Sequence, residues 1–135
     1  MSNLLMILIP AVLFFQFEDP LILRIEINDL RNDRGQVILE LLDGNENSVN
    51  GIFQEIVDNH CMIEIDSLDP GKYAFKYFHD ENSNKEMDAS WIGIPKEGFG
   101  FSNNAKGTFG PPSYEKMIFE LSVDTTLHCT PMYIR

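Results

Sequence analysis

The stretch richest in chemistry is His79-Asp80-Glu81-Asn82-Ser83-Asn84-Lys85-Glu86-Met87-Asp88. Asp80, Asn82, Asn84 and Asp88 occupy the first, third, fifth and ninth places of a calcium-loop spacing, and Glu86, at the seventh, can lend its carbonyl. Calcium is a hard cation that takes oxygen ligands, and a loop that bends at every step brings each second side chain to one centre. The sixth place holds Lys85 where an EF-hand has Gly, and the twelfth holds Trp91 where it has a bidentate Glu, so the segment is no EF-hand. A site with so few carboxylates, beside a lysine, would be a weak one. The same residues also spell an Asx-rich turn, in which Asp and Asn side chains bond their own backbone.

A second constellation follows. His79, Trp91, Lys96, Glu97, Phe99, Phe101, Asn103, Asn104, Phe109 and Tyr114 form a candidate ligand surface in which glycines alternate with aromatics. Glycine lets backbone approach backbone or ligand closely, and exposed rings stack on sugars or peptides, so the partner expected is a protein or a carbohydrate. The alternative is that these rings plug one end of the fold. Catalysis has less to build on. Ser102 and Ser113 lack a nucleophile elbow, and His60, His79 and His128 have neither HxH nor HExxH spacing for zinc. A hydrolase using His79 with acidic residues such as Glu81 and Glu97 is the alternative function.

The elements that must position these residues read as strands. Leu21, Leu23, Ile25 and Ile27 alternate with less apolar neighbours, and Val37, Leu39 and Leu41 repeat the pattern after a turn at residues 32–35, which suggests a hairpin. A short strand is expected over residues 53–57, another where Cys61, Ile63 and Ile65 alternate, and a third over 72–79. Leu68-Asp69-Pro70-Gly71 between the last two reads as a type II turn with positive φ at Gly71, and Tyr73 just inside the strand reads as a tyrosine corner. Strands resume over 116–123 and 127–134. Between them, residues 80–113 lose the alternation and form one long loop, expected to be ordered and functional because long featureless connections are rare in compact domains. The fold class is therefore an all-β Greek-key sandwich of about seven strands, immunoglobulin-like or transthyretin-like.

At 135 residues the chain has room for one domain. Residues 1–17 carry no charge and hold an apolar run too short for a membrane span, so they are expected to be a signal peptide, with the domain over 18–135 and no membrane span after processing. The net charge of −11 repels phosphates and argues against nucleic acid. Cys61 and Cys129 are too far apart in sequence for a CxxC motif. In an oxidising compartment they are expected to pair, with two buried free thiols as the alternative.

Four motifs then occur in order: Leu68-Asp69-Pro70-Gly71-Lys72-Tyr73-Ala74, His79 through Asn84 with Asp88, Gly93 through Asn104, and Phe109-Gly110-Pro111-Pro112. Together they closely resemble the exported bacterial proteins of domain-of-unknown-function family 2141, over residues 21–135. The resemblance implies a bacterial protein with a periplasmic, cell-surface or extracellular location, and it brings no assigned activity or catalytic residues. That family usually has Gly where this chain has Lys85, which sets a positive charge beside any cation. The turn before Tyr73 is also similar to that of transthyretin-like and carboxypeptidase-regulatory-like sandwiches, which are commonly accessory modules. The function this supports is an exported, noncatalytic binding or scaffolding module.

Overall fold

The computed structural model describes residues 5–13, 18–90 and 93–134. Period-two alternation builds its main strands. In β1 (Leu21–Ile27) Leu23, Ile25 and Ile27 are fully buried while the residues between them stay partly exposed. β2 (Gln36–Asp43) turns Val37, Leu39 and Leu41 inward, β4 (Cys61–Leu68) turns in Cys61, Ile63 and Ile65, and β5 (Gly71–Asp80) turns in Tyr73, Phe75, Tyr77 and His79. These faces share one core, joined by Leu30 and Ile56 from the connections and by Leu121 and Cys129. Each fully buried Leu, Ile or Phe contributes about 1.5–3 kcal/mol, which makes this core the main source of stability.

The remaining strands are β3 (Ser48–Glu55), β6 (Phe99–Phe101), β7 (Phe119–Leu121) and β8 (Thr125–Cys129). One sheet has the order β4-β1-β8, and the other has the order β3-β2-β5-β6, with β7 also paired to β5. Helix is confined to a 3-10 turn at Ser102–Asn104 and one turn of α-helix, α1 (Tyr114–Met117). The protein is thus an all-β, two-sheet sandwich of eight strands among the described residues, as its alternating pattern leads one to expect.

Several local expectations are corrected. β1 and β2 are not a hairpin: β1 pairs with β4 and β8 in one sheet while β2 pairs with β3 and β5 in the other. The buried Leu30 anchors the crossing between them. Gly71 has no positive φ, and Ser67 takes the left-handed conformation instead, with φ 58°. The tyrosine corner does form, with the Tyr73 hydroxyl donating to the Asp69 carbonyl at 2.6 Å. The strand expected over 116–123 is a helical turn followed by the three residues of β7, and the last strand ends at Cys129, before Pro131.

The cysteine pairing is corrected as well. Both thiols are buried and free. Cys61 on β4 and Cys129 on β8 are each registered opposite Ile27 of the strand between them. Two strand spacings, roughly 9.6 Å, therefore separate them, whereas a disulfide needs Cα atoms within about 7 Å. Of the expected leader, residues 5–13 are exposed and belong to no strand, and residues 1–4 and 14–17 lie outside the described residues. Among the described residues no helix is long and apolar enough to cross a membrane.

Candidate functional site

The outward face of the larger sheet carries a row of apolar residues where a solvated sheet face would alternate to polar. Phe53 on β3 lies opposite Ile38 on β2, Ile38 opposite Phe78 on β5, and Phe78 opposite Phe99 on β6, and Phe99 bridges to Met132. Four strand spacings make this row roughly 19 Å long. In the adjacent row Glu40 faces Lys76, whose Nζ is 3.1 Å from its carboxylate, and Lys76 faces Phe101.

Loops complete the walls. Met87, Gly93, Ile94 and Pro95 from one segment, and Gly107, Thr108, Gly110 and Pro111 from another, enclose with Ile38, Phe78, Phe99, Phe101 and Met132 a groove of about 810 Å³. That volume falls within the roughly 300–1,000 Å³ of small-molecule and cofactor sites. Met87 and Ile94 are each about two-fifths exposed, and Phe109, between two lining residues, is fully exposed. Beyond the groove the same sheet face is sealed by a small second core of Ala74, Ala105 and Met117, packed with Phe101 and Tyr114. Ser102 ties this cap down: its hydroxyl donates to the Met117 carbonyl at 2.5 Å and accepts from the Phe75 amide at 3.0 Å.

Two buried carboxylates shape the loop that forms the other wall. Asp80 ends β5 fully buried and accepts from the Asn84 amide at 3.2 Å, the Lys85 amide at 2.9 Å and Gln36 Nε2 at 3.2 Å. Glu97 accepts from the Glu81 amide at 2.6 Å and the Asp88 amide at 2.8 Å, so it buckles the two ends of the loop together. Asn82 and Asn84 each accept from a backbone amide two residues on, and both donate to Asp88. Gly35 lets the preceding turn close on this strand end: at φ +69° a Cβ there would lie 1.8 Å from the Asp80 carbonyl oxygen.

The proposed calcium ligands Asp80, Asn82, Asn84, Glu86 and Asp88 are therefore neighbours, but Asp80, Asn82, Asn84 and Asp88 bond to amide N–H groups. A cation would have to displace three donors from Asp80 alone. Among the described residues no three His, Cys, Asp or Glu side chains converge as metal ligands. The Asx-rich turn is the reading that the geometry supports.

Beside this loop lies a smaller, charged pocket of about 320 Å³, lined by Arg31, Arg34, Glu81, Asn82, Asp88, Lys96 and Glu97. Arg31 reaches Glu81 at 2.5 Å, sits over the Tyr133 ring and donates to the Lys96 carbonyl, and Arg34 holds the second Glu81 oxygen at 3.2 Å. Burial alone would raise the Glu81 pKa, but the Arg31 hydrogen bond, helped by the charges of Arg31 and Arg34, holds it below the ordinary carboxylate value.

His79 is fully buried behind this pocket. Its Nε2 donates to the Arg34 carbonyl at 2.7 Å, so Nδ1 is the acceptor for the Tyr133 hydroxyl at 2.9 Å. Both nitrogens are thus committed to the protein, and both Glu97 oxygens to backbone amides. In this arrangement both groups serve as structural hydrogen-bond partners. The pocket is an ion-pair clasp that joins the β1–β2 crossing to the 81–97 loop and the C-terminal segment.

Of the expected ligand surface, the structure brings Phe99 and Phe101 into the groove and leaves Phe109 at its margin. Lys96 and Glu97 belong to the charged pocket. Asn103 donates to the Lys116 and Ile118 carbonyls, Asn104 accepts from the Thr130 amide, and the Tyr114 hydroxyl donates to the Asp43 carbonyl, so these three fasten the cap. Trp91 lies outside the described residues. Sequence reasoning missed Ile38, Phe78 and Met132, and the available signal was the apolar residue on the nominally polar side of β2 and β5.

Among the described residues, fold and site together define an eight-stranded β-sandwich with an apolar groove on one outer face. The model of the family described as "Uncharacterized protein conserved in bacteria (DUF2141)" matches residues 25–128, and the chain belongs to that family. No curated protein and no solved structure matches the chain.

Proposed function

We propose that the protein is a noncatalytic binding module, exported by a bacterium, that receives an extended apolar segment of a partner protein in the outer-face groove. The observation that carries this reading is the open row Ile38, Phe78, Phe99 and Met132 on a protein of net charge −11. Such a patch on an otherwise charged surface marks an interaction site. These four residues span three strand spacings, roughly 14 Å, which matches about four residues of extended chain. The floor offers only the Glu40–Lys76 pair as charged side chains. A sugar, with many hydroxyls, would leave most of them unbonded there, at a cost of about 1–3 kcal/mol each, which favours a peptide over a carbohydrate. Export is supported by residues 5–13, which expose their apolar side chains and join no strand, as a leader removed on secretion would. The resemblance of the turn before Tyr73 to accessory sandwich modules fits the same role.

The test is fluorescence anisotropy with a labelled seven-residue peptide of alternating Leu, Val and Phe. Binding should weaken at least about tenfold in Ile94→Glu, whose exposed wall position leaves the fold intact. Equal affinity in both proteins would overturn the assignment of the groove.

A further inference from the structure

We infer that the partner segment held by the groove is apolar on both of its sides, and that Phe109 covers the side turned away from the floor. That composition presupposes that the groove is a peptide site and narrows what it takes. An extended chain turns successive side chains to opposite sides, so only every second one can reach the floor of Ile38, Phe78 and Phe99. What the others meet is set by the rims. One rim is a two-stranded ribbon in which Ala89 bridges to Pro95, the Lys96 amide donates to the Asp88 carbonyl at 2.8 Å and the Ser90 amide donates to the Ile94 carbonyl at 2.8 Å. Alternation sorts its residues: Met87 and Pro95 line the groove, whereas Asp88 and Lys96 line the charged pocket instead. This rim thus offers the groove apolar surface.

The second rim holds one ring out in water. Residues 106–111 are all exposed, while Ala105 before them and Pro112 after them are buried. The neck of this loop is drawn tight, because a Cβ on Gly107 would lie 2.0 Å from the Gly110 carbonyl oxygen, and Gly110 itself takes φ +120°. Phe109 stands at the tip, fully exposed, one Cα step of about 3.8 Å from both Thr108 and Gly110, which line the groove. Its ring contributes no burial to the free protein. A loop pinned at its neck loses little freedom when the ring is covered, so the burial of Phe109 goes largely into affinity. A polar side chain beneath that ring would lose its water without gaining a hydrogen bond. The segment that fits is therefore an unbroken apolar run of extended chain, in place of the alternating apolar and polar strand that a bare sheet face would take.

Fluorescence anisotropy with two labelled seven-residue peptides is the test, one of Leu, Val and Phe throughout and one with Ser at every second position. Wild type should bind the unbroken run at least about tenfold more tightly. Phe109→Ser should weaken binding of the run at least about tenfold and that of the Ser-containing peptide less than about threefold, with the circular dichroism spectrum and melting curve unchanged because the ring is exposed. Phe109→Tyr, which keeps a ring, should bind the run within about threefold of wild type. Phe109 has no such role if wild type shows no preference, if Phe109→Ser weakens both peptides equally or neither, or if Phe109→Tyr loses as much as Phe109→Ser, which would trace the effect to the loop rather than to the ring. Any of these results with binding still weakened by Ile94→Glu sinks this inference alone. No binding by wild type, or equal affinity in Ile94→Glu, sinks the groove reading and this inference together.

Discussion

Replacing Tyr77 by Phe should make the protein more stable. Tyr77 is 3% exposed, and its hydroxyl is buried with no hydrogen-bond partner among the described residues. It is wedged beneath Gly100, where an added Cβ would lie 2.3 Å from the hydroxyl and 2.4 Å from the ring Cζ. The ring itself packs well, with its centroid 6.2 Å from that of Phe75. Burying a hydroxyl without a partner costs about 1–3 kcal/mol, and Phe keeps the ring while removing that cost. Tyr77→Phe should therefore gain about 1–2 kcal/mol, or roughly 3–8 °C in melting temperature for a domain of this size. Urea unfolding followed by circular dichroism should show a higher midpoint at an unchanged slope. A variant less stable than wild type by 1 kcal/mol or more, roughly the worth of one hydrogen bond, would show that the hydroxyl is bonded and that this reading of the core is wrong.

Three further outcomes are expected. Asp80→Ala should cost about 1–3 kcal/mol by orphaning the Asn84 and Lys85 amides, while millimolar calcium against EDTA should leave the wild-type melting temperature unchanged; calcium-dependent stabilisation that Asp80→Ala abolishes would restore the metal reading. Because Glu81 is held below its ordinary value of 4.5, the stability it contributes is present above that value and is lost as pH falls through its folded pKa. Thermal unfolding between neutral and acid pH should show Arg31→Ala differing most from wild type at neutral pH, and a difference that does not shrink in acid would count against the clasp. Burial pushes both thiols from 9.0 up to about 12, so their contribution to stability is complete below 9.0 and declines as pH rises toward 12. Neither should react with a thiol reagent at neutral pH until urea unfolds the protein, and a disulfide found by mass spectrometry of unreduced protein would contradict the sheet order.

Much of the fold is legible in the sequence because period two is a local signal. Leu23, Ile25 and Ile27 announce an inward face without knowledge of any partner, and Tyr73 after its turn announces a corner. Pairing is not local. Nothing in residues 21–43 says that β1 and β2 lie in different sheets, since alternation looks the same whichever sheet a strand joins, and the cysteine pairing failed for the same reason: both residues face inward, but Ile27 stands between them. The candidate site is divided likewise. Phe99 and Phe101 stand out among glycines, whereas Ile38 and Phe78 read as ordinary strand residues until the register aligns them into one row. Asp80, Asn82, Asn84 and Asp88 are spaced as well for an Asx network as for a cation, and the amide donors around Asp80 that favour the network come together only in the fold.

The most direct measurement is methyl NMR of the protein titrated with the apolar seven-residue peptide. Shifts should cluster on Ile38, Met87, Ile94, Met132 and Ile134, the isoleucines and methionines of the groove, and should be reduced in Ile94→Glu. A folded protein whose groove methyls stay unmoved at saturating peptide, or whose shifts gather instead around Leu30 and Leu127 away from the groove, would contradict the assignment of a binding surface to the outer sheet face.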